Sequence, residues 1–130
     1  MSTLKVNTVQ HNTSGFDNVV QFTDGAGTEN GQLARAWVNF NAQGTVAIRA
    51  DFNVNTVTDG GVGQFVVNFS SSMPDAHYAA TGNSGHDVQF NSGTCTVDFS
   101  VPSTSNISMT VEDVDGPDVD KPYNYAAIFR

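Results

Sequence analysis

Residues 33–69 read LARAWVNFNAQGTVAIRADFNVNTVTDGGVGQFVVNF, and they decide the fold. Ala36, Val38 and Phe40 alternate with Arg35, Trp37, Asn39 and Asn41. Val46, Ile48, Ala50, Phe52 and Val54 then share one side, against Arg49, Asp51, Asn53 and Asn55. Phe65, Val67 and Phe69 alternate with Gln64, Val66 and Asn68. A side-chain period of two marks strands with one buried face. Apolar residues three and four apart, as a helix needs, are missing. Asn41-Ala42-Gln43-Gly44 has the length and the closing glycine of a hairpin loop, and Thr58 to Gly63 is a second reversal.

Working outward, the same rhythm recurs. On the C-terminal side, Ser70 to Asp75 ends a strand at a proline. A short strand is expected over His77 to Thr81, a turn at Asn83-Ser84-Gly85, and a short strand around Val88 and Phe90. Cys95, Val97, Phe99 and Val101 form a regular inward set. Ile107, Met109 and Val111 form another, and Tyr123 to Phe129 closes the chain. On the N-terminal side, residues 1–32 hold few core candidates: Leu4, Val6, Val9, Phe16, Val19, Val20 and Phe22. They are expected to form an arm with one or two short strands, and TDGAGTENGQ (23–32) reads as turn-formers. Residues 33–130 form the main domain. The whole predicts an all-β, single-domain antiparallel β-sandwich, jelly-roll-like, of about seven to nine short strands.

Composition limits the function. The chain has 130 residues and a formal net charge of −8, with 5 Lys and Arg against 13 Asp and Glu. Nucleic acid and anionic membranes are therefore poor partners, since both call for clustered positive charge. The single cysteine forbids an internal disulfide. Asn, Thr, Ser, Gln and Gly supply the polarity, as suits strands and turns. The first ten residues, MSTLKVNTVQ, lack the apolar core of a signal peptide.

The strings Arg35-Ala36-Trp37-Val38-Asn39-Phe40, Gly44 to Arg49, Phe52-Asn53-Val54, and Phe65 to Phe69 leading to Met73-Pro74-Asp75 and Tyr78 resemble a module of bacteriophage virion proteins. The opening Ser2 to Thr8 is similar to the start of many such proteins. The module recurs at the ends of tail fibres and tailspikes and in small capsid-surface proteins, those of cyanobacterial phages included. The resemblance covers about half of the chain and fades after Gly82. It implies a trimeric β-sandwich exposed on a virion and made in the host cytoplasm. Two roles follow: a cement or decoration protein that stiffens the capsid by bridging subunits of the major capsid protein, or a fibre tip that binds host-surface carbohydrate. Read as a complete chain from Met1, the sequence leaves no room for a tail anchor and shaft, which favours the capsid.

Candidate contact residues are Arg35 and Trp37 on the polar side of their strand, Phe16 in the arm, and Tyr123, Tyr125 and Phe129 in the closing run. Trp and Arg are enriched at interfaces. Exposed tyrosines such as Tyr78 or Tyr123 suit stacking on a sugar. The acidic stretch 112–120 offers Asp113, Asp115, Asp118 and Asp120 as a calcium loop, but Gly116 and Pro117 depart from the EF-hand spacing, so a solvated acidic loop is the plainer reading. Cys95 lies in line with Val97 and Phe99 and reads as a small core residue. His11, His77 and His86 lack ligand spacing. No nucleophile elbow, phosphate-binding glycine loop or C-x-x-C pair stands in the sequence. The expectation is a non-enzymatic protein without a cofactor.

Overall fold

A computed structural model describes residues 19–24, 27–85, 95–113 and 116–130. The chain divides into two compact units, Met1–Gln32 and Leu33–Arg130. In the first, β1 (Val19–Asp24) and β2 (Gly27–Gln32) form an antiparallel hairpin, from the pair Val19↔Gln32 to Asp24↔Gly27. The turn-forming composition of 27–32 thus gives way to pairing, which satisfies backbone donors and acceptors whatever the side chains are.

The second unit holds eight strands: β3 (Ala34–Asn41), β4 (Ala47–Phe52), β5 (Val54–Gly61), β6 (Gln64–Phe69), β7 (Ala79–Gly85), β8 (Cys95–Ser100), β9 (Asn106–Asp113) and β10 (Tyr123–Phe129). They form two antiparallel sheets, ordered β4-β3-β10-β7 and β5-β6-β9-β8. The fold is an all-β sandwich, and no helix occurs among the described residues. β6 and β9 are neighbours in one sheet, and the strands that follow them, β7 and β10, are neighbours in the other. Each pair is antiparallel, so the two crossings lie at opposite ends of the sandwich and interlock the sheets in Greek-key fashion.

The core lies between the sheets. Ala36, Val38, Phe40, Ala126 and Ile128 come from one, and Phe65, Val67, Phe69, Ile107, Met109 and Val111 from the other. The Phe40 and Phe65 rings meet edge to face across the interior, 5.1 Å apart. Among the described residues, one polar side chain is wholly buried with them. Asn124 donates to the carbonyls of Lys121 (2.8 Å) and Phe40 (3.4 Å) and accepts from Ser84 Oγ (2.8 Å). Its amide is thereby satisfied on both sides.

Several expectations are corrected. Residues 46–54 are not one strand. β4 ends at Phe52 and β5 begins at Val54, in different sheets, with Asn53 alone between them at φ 56°. Asn83-Ser84-Gly85 is strand rather than turn. β8 stops at Ser100, so Val101 lies outside the core at φ 48° and is exposed. For β10, whose facing the sequence left open, Tyr123, Tyr125 and Phe129 fall on the outer parity, while Asn124, Ala126 and Ile128 face in. The strand expected around Val88 and Phe90 lies outside the described residues.

Candidate contact face

The site of interest is the outer face of the β4-β3-β10-β7 sheet. Register lines its side chains up in rows. Trp37 sits beside Phe52 on one flank and Ala127 on the other, with Thr81 beyond. One row further, Asn39 lies between Ala50 and Tyr125, with Asn83 beyond. Trp37, Phe52 and Tyr125 are 40%, 54% and 42% exposed, well above what large aromatic residues usually leave in water. Trp37, Asn39, Thr81, Asn83, Tyr125 and Ala127 line a shallow groove of about 500 Å³. Asn39 Oδ1 beneath it is buried without a hydrogen-bond partner.

Phe52 reaches this face through an irregularity in β4. Asn39 pairs with Ala50, but Phe40 pairs with Ile48, so Arg49 is the extra residue of a bulge. Ile48 therefore faces in, opposite the buried Phe40, while Ala50 and Phe52 face out. A strict alternation places all of them on one side. Arg49 turns along the sheet instead. Its guanidinium lies 4.4 Å from the centre of the Tyr123 ring, a cation–π arrangement, and donates to the Pro122 carbonyl.

The structure gathers four of the six candidate contact residues on this face: Trp37 from β3, and Tyr123, Tyr125 and Phe129 from β10. Arg35 is the extra residue where the β3–β10 pairing steps from Ile128↔Ala36 to Phe129↔Ala34. Phe16 lies outside the described residues. Phe52 and Arg49 belong to the same face and were missed. A bulge leaves no mark in hydrophobic alternation, and Phe52 carried the parity of the core.

Tyr78 is not available for stacking on a sugar. Its hydroxyl donates to the carbonyls of Ser103 and Asn106, each at 3.0 Å, and its ring packs edge to face on Phe69. Burial pushes its pKa up from the ordinary value. The described carboxylates of the acidic loop are each engaged elsewhere. Asp113 pairs with the buried ammonium of Lys121 at 2.8 Å. Asp118 accepts from Gln64 Nε2, and Asp120 from the backbone N–H of Gly63, both at 2.8 Å. Asp115 lies outside the described residues. Asp118 and Asp120 stitch the loop to the β5–β6 turn and the start of β6. Gly63 must be glycine there, because a Cβ would stand 2.4 Å from the Val111 carbonyl oxygen. No group of three or more His, Cys, Asp or Glu able to hold a metal occurs among the described residues. Cys95 is half-buried, its thiol 3.5 Å from Asp113 Oδ1, and burial first of all pushes its pKa up, the opposite of a reactive thiolate.

Fold and site together define a small antiparallel β-sandwich with one aromatic sheet face. No family model, curated protein or solved structure matches the chain.

Proposed function

We propose that this chain is a structural protein of a phage virion that decorates the capsid, bridging coat subunits as a homotrimer. Its work is interface burial, with no chemical step and no cofactor. The observation that carries the reading is the exposed cluster of Phe52, Trp37 and Tyr125, on two adjacent rows of one sheet face. Aromatic residues and Arg on such a face are what protein contacts use. The sequence resemblance supports the same reading, because its most specific string, Arg35 to Phe40, forms β3, the strand that carries Trp37. Imaging of virions with labelled protein tests it. Many copies spread over the shell are expected; absence from purified particles, or a few copies at the tail alone, rejects it.

The groove between Trp37 and Tyr125 favours one second reading, a tail-fibre or tailspike tip that binds host-surface carbohydrate. Aromatic faces flanked by Asn39, Asn83 and Thr81 offer both stacking and hydrogen bonds to a sugar ring.

A further inference from the structure

The outer faces of the two sheets differ in charge. On the β4-β3-β10-β7 sheet, the outward positions are Trp37, Asn39 and Asn41 on β3, and Ala50 and Phe52 on β4 after the bulge. β10 presents Tyr123, Tyr125, Ala127 and Phe129, and β7 presents Ala79, Thr81 and Asn83. None is a carboxylate, in a chain that carries 13 of them. The opposite sheet presents Asp98 on β8 and Glu112 on β9, each on the parity away from the core. Among the described residues, the remaining exposed large apolar side chains are scattered: Leu33 precedes β3, Val62 stands in the β5–β6 turn and Val101 in the segment after β8.

We propose that the aromatic sheet face is where copies of this chain meet one another, with Trp37, Phe52 and Tyr125 at the centre of the contact. Two chains of net charge −8 repel, and any surface where they meet has to keep carboxylates apart. This face does so. Asp98 and Glu112 point away from its sheet, beyond the roughly 10 Å that separates packed sheets, and in physiological salt a Debye length of about 8 Å screens charges at that range. A polyanion is disfavoured by the charge of the whole chain. A second copy needs neither an opposite charge nor a ligand from outside. The inference deepens the proposed function by naming the surface that holds the copies together. It is read on purified protein, so it fails or stands apart from any location in a particle.

Light scattering coupled to gel filtration of the full chain, at micromolar concentration, supplies the test. The wild type is expected at an integer multiple of the 13.8 kDa chain mass, three-fold for the trimer. Phe52→Glu and Trp37→Glu are each expected to fall to the monomer with an unchanged far-ultraviolet circular dichroism spectrum, while Val101→Glu keeps the wild-type mass. Phe52 is more than half exposed on an edge strand, so its replacement spares the core. Raising salt from about 0.15 M to about 1 M is expected to preserve or tighten the assembly, since what it screens is repulsion. A monomeric wild type, an oligomer that both face variants leave intact, or an assembly that salt dissociates overturns the proposal.

Discussion

At position 53 the chain leaves one sheet and enters the other within a single residue, and asparagine suits that position on two counts. It tolerates the left-handed conformation better than most residues, and its side chain can tie neighbouring backbone together. Asn53 Nδ2 donates to the carbonyls of Arg35 and Ser71, both at 3.1 Å, and its Oδ1 accepts from the Ser71 N–H at 2.7 Å. Its own carbonyl accepts from the Ser70 N–H. The corner is thus fastened to the start of β3 and to the end of β6. Asn53→Ala removes three hydrogen bonds and leaves a Cβ residue at positive φ. It is expected to destabilise the fold by about 2–4 kcal/mol, measured by urea unfolding. Asn53→Gly keeps the backbone conformation and loses only the side-chain bonds, so it is expected to cost less.

Among the strands, legibility followed inward chemistry. β3, β6 and β9 alternate cleanly because every second residue enters the core, and their sides are readable without a structure. β4 breaks that rule at Arg49, where one extra residue inverts the strand and Phe52 comes out beside Trp37. β7 is almost unreadable. An edge strand packed through Ala80, with Ser84 answering a buried amide, has no apolar pattern to show. In β10 the larger rings lie outside and the smaller side chains inside, so size misleads about parity. The face was legible as residues, Trp37 and Tyr125 among them, but its neighbours across the sheet depend on register, which the sequence does not carry. Beyond β10 the chain is held by a two-pronged ion pair, Arg130 to Asp75, at 2.9 and 2.6 Å. The guanidinium, and after it the His77 N–H, hold the Asp75 carboxyl down at about 2 against an ordinary 3.8. A carboxyl pKa lowered by folding contributes stability above its unfolded value, and that contribution is lost as pH falls through the folded one. Asp75→Asn is therefore expected to melt below the wild type near neutral pH. The gap should close between about pH 4 and about pH 2, followed by thermal denaturation.

For the molecule as a whole, the described core lies entirely within residues 33–130: both sheets contribute to it, and Met73 and Ala42 close its margins. A chain cut to residues 33–130 is expected to fold alone and unfold in a single cooperative step, with the spectrum of a β protein. A broad, non-cooperative melt speaks against that independence. Among the described residues of this unit the one wholly buried amide, Asn124, sits in the central strand β10, between partners on both sides. Suppose β10 slid by one residue against β3 and β7. Tyr123, Tyr125 and Phe129 would be driven into a space shaped for Ala126 and Ile128, and the Asn124 amide would abandon Ser84 and the two carbonyls that meet it. A purely aliphatic strand would forgive such misalignment. Here the amide works as a key cut for one lock, so the closing strand has a single correct way to seat.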